Sequence, residues 1–421
     1  AQMGNSVFGE GSFVDYIVLP VGVSFFTFQS ISYVVDIYRK EVTPVKNFFD
    51  YAFFVSFFPQ LVAGPIVRAR DFIPQISQPF KLNHTDFSWS IIQIAKGFIK
   101  KIVLADYIAI HFIDKVVDAP EAFPGFISIL AMWGYSLQIY GDFSGYTDIA
   151  IGVSRLMGFR LLENFNSPYK AISVADFWRR WHKSLGSWLR DYLYIPLGGN
   201  RSGGIGTYIA TMVILIFMIF ITQWYWLLFI YLGLLITYIG VSLIFPGFKK
   251  YVHRDLNLLI TMVIGGLWHG ASENFVIWGA MNGAALIFYN HWRKISPYEN
   301  SSGLITRFWR ILITFNFITF TRIWFRLEDD GAPVNMLNQI WYHFDLNTET
   351  FNTLMIGFDT ALYVMIFGYV LHWLPSKFKD FGERKFTNLP MLIQSIVVVI
   401  LLIIIYQAFS DTFKPFVYFQ F

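Results

Sequence analysis

The stretch "LNLLITMVIGGLWHGAS" at residues 256–272 places a histidine, His269, directly after an uncharged apolar run. Such a run is typical of a segment buried in lipid, where an ionisable side chain is costly and usually faces a cavity. Counted from Asp255, His269 lies about 21 Å along a helix, whereas a full crossing needs about 30 Å. We therefore expect His269 inside the bilayer, past its middle. Glycines at 265, 266 and 270 would let a second helix or a substrate approach it.

The composition of the whole chain indicates a polytopic, all-α membrane protein. Of 421 residues, 55% are hydrophobic and 14% are charged, against about 25% charged residues in soluble domains. The mean hydropathy of +0.49 agrees with this class. The net charge of +4 is small and does not indicate nucleic-acid binding, and the absence of cysteine excludes disulfides, thiolate metal sites and cysteine nucleophiles.

Apolar stretches of about 20 residues can cross a bilayer. The sequence predicts about ten membrane segments, several of them interrupted by Gly or Pro: 17–38, 51–67, 91–113, 126–140 with 143–157, 205–222, 224–245, 256–271, 275–292, 308–325, 353–373 and 389–409. Interrupted segments are tolerated at membrane depth only where protein buries them or a cavity is wet. The pattern therefore predicts an internal cavity, and we expect the short helices to surround a central tunnel.

Lysine and arginine cluster in three loops, at residues 249–254, 293–310 and 377–385. Because positive loops stay in the cytoplasm, these three should share that side. Residues 328–350 carry acidic residues and no Lys or Arg, so we expect them outside. The predicted number of crossings between the three basic loops is even each time, which agrees with this orientation.

The longest polar stretch, 158–204, should be an amphipathic segment on the cytoplasmic side within a single transmembrane domain at 1–421. Residues 176–192 fit one helix with an aromatic face and an opposite basic face. The basic face contains Arg179, Lys183 and Arg190. His182 lies at the border of the two faces, where an interfacial histidine with a wet ring edge is the simplest interpretation. Asn164 and Asn166 open the block, where loop or cap roles are expected.

The chemistry open to His269 is limited. A buried imidazole tends to stay neutral, as a general base must. A core histidine hydrogen-bonded to a neighbouring helix is an equal alternative. The eight histidines are scattered without zinc-ligand spacing, so we expect no metal site. Asp142 and Asp148 lie in an apolar segment and should hold a histidine, an arginine or a backbone amide.

Five motifs spread over nearly the whole chain resemble the membrane-bound O-acyltransferases, with the bacterial alginate O-acetyltransferase membrane subunits as the nearest branch. They are "FPQLVAGPIVR" (58–68), "DFSGYTDIAIG" (142–152), "ENFNSPYKAISVADFWRRWHKSLGSWLRDYLYIPLGGNR" (163–201), "GGLWHGAS" (265–272) and "FVYFQF" (416–421). The third block is long and the most specific of the five. Two departures stand out. The family's further N-terminal segments before "LPVGVSFFTFQ" (19–29) are expected to be missing, and Asn282 of "WGAMNG" stands where relatives often carry a second histidine.

The resemblance implies an acyltransferase built around a membrane-embedded tunnel. His269 would be catalytic, with His182 as the second histidine of the family and Trp268 as a supporting neighbour. The donor would be a cytoplasmic thioester, acetyl-CoA, whose phosphates the basic residues Arg179, Arg180, Lys183, Arg190 and Arg201 could attract. Each of these residues could instead be an anchor in lipid headgroups. The acceptor would be an exported polysaccharide such as alginate, reached through an extracytoplasmic partner of the SGNH type.

The sequence thus predicts an O-acetyltransferase of the inner or plasma membrane. An alternative is a conduit that hands the acetyl group to a partner, which then forms the ester. A transporter is a third possibility, although two related halves are not visible in the sequence. The sequence names neither the polymer nor the oligomeric state.

Overall fold

The computed structural model describes residues 22–270, 272–329, 331–409 and 416. Within these ranges every regular element is helical, so the predicted all-α class is confirmed. The start of the predicted 17–38 segment, Ala271, Asp330 and most of the C-terminal motif at 416–421 lie outside the described residues.

Eighteen α-helices of four residues or more follow one another in the described part of the chain. They are α1 (Val23–Tyr38), α2 (Phe48–Ser56), α3 (Phe58–Leu61), α4 (Ala69–Ile76), α5 (His84–Phe98), α6 (Asp114–Val117), α7 (Gly125–Leu156), α8 (Val174–Arg180), α9 (Lys183–Leu189), α10 (Ile205–Thr222), α11 (Trp226–Ile244), α12 (Phe248–Leu267), α13 (Glu273–Trp292), α14 (Leu304–Arg326), α15 (Ala332–Tyr342), α16 (Thr348–Trp373), α17 (Ser376–Thr387) and α18 (Met391–Ala408). Three π-helical stretches interrupt the α-helical geometry: Ile99–Asp106, Ala109–Ile113 and Arg190–Tyr194.

Three of the described helices, α11, α16 and α18, are long and apolar enough to cross a membrane, and Ile205–Phe220 in α10 is a shorter apolar stretch. The predicted total of about ten membrane segments stays a prediction. The other predicted segments stand out less clearly as membrane helices because some of them carry charged side chains. The predicted segment 91–113, for example, contains Lys96, Lys100 and Lys101.

Helix packing is closest where glycines face a neighbouring backbone. A Cβ at Gly266 of α12 would lie 2.2 Å from the carbonyl oxygen of Phe275 in α13, and one at Gly279 would lie 2.5 Å from that of Met262. Helices α5 and α7 meet in the same way at Gly97 and Gly145. Small residues at such crossings let two backbones approach where lipid supplies no hydrophobic drive. The crossing of α12 and α13 fixes the position of the chain at His269, because α12 ends two residues before it.

The two acidic residues of α7 pair with lysines. Asp148 Oδ2 lies 2.5 Å from Lys100 Nζ, and Asp142 Oδ1 lies 2.6 Å from Lys101 Nζ. Gln93 also donates a 2.8 Å hydrogen bond to Asp148. Lysine is a partner that was not expected, because the sequence suggested a histidine, an arginine or a backbone amide. Opposite charges on adjacent helices compensate each other here, which lets two charged residues of α7 lie among apolar neighbours.

Candidate functional site

A cavity of about 490 Å³ runs beside α12. Leu258, Thr261, Met262 and Gly265 of one face of α12 line it, at the three- and four-residue spacing that brings side chains onto one side of a helix. His269 lines it just beyond the end of the helix. At 1.5 Å per residue, Leu258 and Gly265 are about 10 Å apart along the axis. The opposite wall comes from α8, α9 and α14. The predicted internal cavity therefore exists, and His269 lies at its wall.

His269 follows the end of α12, in contrast to the sequence-based expectation of a helical position. Its backbone N–H donates a 2.9 Å hydrogen bond to the carbonyl of Gly266, and the residue is 7% exposed. Aromatic rings surround the imidazole, with centroids at 4.7 Å (Trp268), 4.8 Å (Phe325), 5.4 Å (Trp278) and 6.0 Å (Phe275). This setting is apolar, yet one side of it opens to the cavity, where a reactant could reach the ring.

The predicted single helix over 176–192 is wrong, because the chain breaks at Trp181 and His182. Trp181 is extended, and His182 adopts a left-handed conformation with φ 43° and ψ 55°. The turn moves His182 off the predicted interface and into the protein, where it is 2% exposed. The expectation of a wet ring edge is therefore wrong too. His182 lies at 4.7 Å from the ring of Phe143 and 5.9 Å from that of Trp268, and it lines the same cavity as His269.

Asn164 explains why the chain can break there. A helix start leaves backbone N–H groups without partners, and a side-chain oxygen usually accepts from the second or third of them. His182, at the cap of α9, makes no such bond. The Oδ1 of Asn164 instead accepts from the backbone N–H of Ser184 at 3.1 Å and from its hydroxyl at 3.0 Å, and it lies 3.2 Å from His182 Nδ1. The cap role expected for Asn164 is thus confirmed, although it caps a helix eighteen residues later.

Basic residues lie at one end of the cavity. Arg179, Lys183 and Arg190 line it, and the side chains of Arg179 and Arg190 are 71% and 63% exposed. Arg190 donates a 2.7 Å hydrogen bond to the carboxylate of Asp191, which raises the pKa of its guanidinium. Arg180 and Arg201 do not line the cavity. Arg180 pairs with Asp176 at 3.0 Å, and Arg201 is exposed on the surface.

The remaining residues that the sequence suggested also divide into those at the cavity and those away from it. Trp268 lies between the two histidines, with ring contacts to both. Asn282 lines the cavity and is fully buried, whereas Asp142 and Asp148 are not among the lining residues. Asn166 is exposed, and its backbone pairs with that of Arg180. In the part of the chain that the structure describes, no group of three His, Asp or Glu residues could hold a metal ion.

Sequence reasoning missed Arg322. This arginine of α14 is 4% exposed and lines the cavity together with both histidines. The available signal was an arginine within the predicted apolar segment 308–325, a kind of residue that is usually functional.

Comparison with known proteins agrees with this geometry. A sequence model described as "MBOAT, membrane-bound O-acyltransferase family" matches residues 39–239. The "Probable alginate O-acetylase" of Pseudomonas putida is 32% identical over 441 residues, covering 98% of this chain and 78% of that protein. This chain belongs to the membrane-bound O-acyltransferase family.

Further relatives are similar over most of the chain. The Pseudomonas aeruginosa protein of the same name is 34% identical over 91% of this chain, and this chain spans only 62% of that protein's length. The "Peptidoglycan O-acetyltransferase" of Helicobacter pylori is 34% identical, covering 76% of this chain and 56% of that protein. The "Teichoic acid D-alanyltransferase" of Bacillus subtilis is 28% identical, covering 71% and 67%. Family membership and the apolar helices together identify a membrane protein.

Proposed function

We propose that this protein transfers an acetyl group from a cytoplasmic thioester, acetyl-CoA, to hydroxyl groups of an exported polysaccharide such as alginate. The observation that carries the proposal is the cavity itself. It joins exposed basic residues at one end to a buried histidine at its wall. The names of the relatives support acyl transfer to a cell-surface polymer, with acetyl or D-alanyl as the group.

In this proposal His269 is the general base. Its imidazole takes the proton of the acceptor hydroxyl while the hydroxyl oxygen attacks the acyl carbon. The new carbon–oxygen bond gives a tetrahedral intermediate, the carbon–sulfur bond then breaks, and the proton passes from the imidazolium to the leaving thiolate. The aromatic rings around His269 exclude water, which protects the acyl group from hydrolysis.

We assign His182 to the same reaction centre as the second histidine. It lines the cavity, and Trp268 contacts both imidazoles. Its Nδ1 lies within hydrogen-bond distance of Asn164 Oδ1, and this contact fixes the orientation of the ring. A fixed ring at this place can orient the acceptor hydroxyl toward His269.

The basic end of the cavity suits the donor. Arginine binds phosphate through paired hydrogen bonds, and Arg179, Lys183 and Arg190 are the basic residues that line the cavity. A phosphate group held there would direct the acyl thioester inward along α12. Arg180 and Arg201 would contribute only charge near the entrance, since neither lines the cavity.

The test is polymer acetylation in cells that carry His269→Ala. We expect the acetyl ester content to fall by about 10²–10⁴-fold, the usual contribution of a general base. His84→Ala serves as the control, because it removes an exposed histidine that does not line the cavity. Acetyl ester at the wild-type level, with equal amounts of protein in the membrane, would contradict the assignment of His269.

A second measurement separates a transferase from a conduit. We propose that the acceptor is reached with an extracytoplasmic partner of the SGNH type, in a multi-pass protein of the inner membrane. Purified protein with acetyl-CoA and an oligosaccharide should form ester without the partner if the transferase proposal is right. Release of the acetyl group only when the partner is added would favour the conduit.

A further inference from the structure

Arg322 is a buried cation that no carboxylate of the described residues pairs with. Arg322 belongs to helix α14, and its guanidinium group lies among three aromatic rings. The guanidinium carbon is 4.7 Å from the ring centre of Trp181, 5.3 Å from that of Tyr169 and 5.9 Å from that of Phe177. Its hydrogen bonds go to neutral groups, the hydroxyl of Tyr169 at 2.6 Å and the carbonyl of Ser136 at 3.3 Å. Among the described residues, no carboxylate forms an ion pair with it.

This arrangement is unusual for a structural arginine. Burying an isolated charge is costly, and buried charges in proteins are normally paired or bound to a ligand. The next arginine of the same helix follows that rule, since Arg326 pairs with Asp114 at 3.1 Å. Both hydrogen bonds of Arg322 come from Nη1. The guanidinium carries five N–H donors in a planar fork, so donors remain for a ligand in the cavity that Arg322 lines.

The position of Arg322 relates it to both histidines. One helical turn further along α14, Phe325 contacts the ring of His269 at 4.8 Å. On the other side, the guanidinium stacks on Trp181, the residue before His182 in the chain. Rings that hold a cation in place also limit the directions in which it can donate. Arg322 and the two histidines line the same cavity, so the remaining donors are available to a ligand that binds there.

We propose that Arg322 is the oxyanion-binding residue of this site. The inference rests on the proposed function, acyl transfer at His269. When the acceptor oxygen attacks, the electrons of the carbonyl double bond move onto its oxygen, which carries negative charge until the carbon–sulfur bond breaks. Arg322 donates to that oxygen. Its positive charge is already in place and its side chain is buried, so the stabilisation costs little reorganisation.

A binding measurement tests the anion site without turnover. Ethyl methylphosphonate, a tetrahedral monoanion, mimics the intermediate and can be titrated calorimetrically into the full-length chain in detergent. We expect Arg322→Gln to weaken binding by at least about 100-fold, the scale at which loss of one oxyanion donor acts. Arg326→Gln is the matched control, with the same change on the same helix outside the cavity lining, and should bind like the wild type. Equal affinity of wild type and Arg322→Gln would overturn the proposal.

Kinetics supply the second measurement. Arg322→Gln should lower kcat for acetyl transfer by about 10²–10³-fold with little change in KM for the donor. The loss should be equal on a neutral oligosaccharide and on a uronate oligosaccharide. A loss confined to the uronate would overturn the proposal, because Arg322 would then bind the acceptor's carboxylate. If Arg322→Gln does not fold, Arg322→Lys decides the matter. Lysine keeps the positive charge but lacks the planar fork of N–H donors, so an unchanged kcat would contradict the proposal.

The two measurements distinguish a failure of the proposed function from a failure of the role proposed for Arg322. A wild-type protein that binds the phosphonate through Arg322 but transfers no acetyl group would retain the anion site and refute the proposed function. A wild-type protein that transfers acetyl, while Arg322→Gln keeps its kcat, would refute only the role of Arg322.

Discussion

His182 shows how a single residue can decide where a site lies. A non-glycine residue in the left-handed region is disfavoured by about 1–2 kcal/mol, so its neighbours must hold it there. Asn164 does so through three short contacts to His182 and Ser184. Ser184 in turn accepts a 3.0 Å hydrogen bond from the backbone N–H of Ile66, which ties the turn to the motif at 58–68.

Asn164→Ala should therefore destabilise the protein. It removes the acceptor of a buried cap, and an orphaned buried N–H costs about 1–3 kcal/mol. We expect a lower Tm in detergent and a weaker acetyl transfer, because His182 loses its support. Asn166→Ala is the control, since Asn166 is exposed and its recorded bonds come from the backbone. Equal Tm values for the two variants would show that Asn164 does not support the turn.

The sequence was most informative for residues with an obvious cost. The sequence pointed to a histidine after an uncharged run and to arginines on the polar side of an aromatic stretch. Both could be assigned to the site because an ionisable side chain in such a place has a free-energy cost. Helical periodicity could not reveal the break at Trp181 and His182, because its cause is the side chain of Asn164, distant along the chain. Nor could it pair Asp142 with Lys101, since that pairing depends on which helices are neighbours.

At the scale of elements, helices α12 and α13 act as one unit. The glycines between them leave no room for a methyl group, so the spacing of the two axes is set by contact between backbones. Packing of this kind gives a rigid base for the chain at His269. By contrast, the glycines of α11 at 233 and 240 have no heavy atom within 4 Å of a built Cβ.

Gly266→Ala should disturb both stability and activity. The added Cβ would lie 2.2 Å from the carbonyl oxygen of Phe275, and overpacking of this sort costs about 1–3 kcal/mol. Since His269 follows three residues later, we expect acetyl transfer to fall together with Tm. Gly233→Ala makes the same change in open space, and helix propensity should leave it neutral or slightly more stable. A Gly266→Ala protein with wild-type Tm and activity would refute the role of this crossing.

For the molecule as a whole, the distribution of charge predicts an orientation. Residues 249–254 are basic and lie in the first turns of α12, while residues 328–350 lack Lys and Arg. The positive-inside rule puts the first in the cytoplasm and the second outside. The cavity would then open through Arg179 and Arg190 toward the cytoplasm, where the proposed donor is found.

Single cysteines can test this orientation, because the 421-residue chain has none of its own. Gly247 lies in the α11–α12 connection, and Asp345 lies between α15 and α16. A membrane-impermeant maleimide added to intact cells should label Asp345→Cys and leave Gly247→Cys unmodified until the membrane is opened. Labelling of both residues in intact cells, or the reverse pattern, would contradict the orientation.

The turn at Trp181 and His182 has a consequence for the energy barrier that a polar group meets in crossing. Arg179 has a side chain that is 71% exposed, and His182, three residues on, is 2% exposed. The surroundings of the chain thus change from high to low dielectric within a single turn. In the proposed function, a thioester donor that enters at Arg179 would reach the buried His182 after a short path through low dielectric, and the electrostatic work of bringing it to its acceptor would fall accordingly.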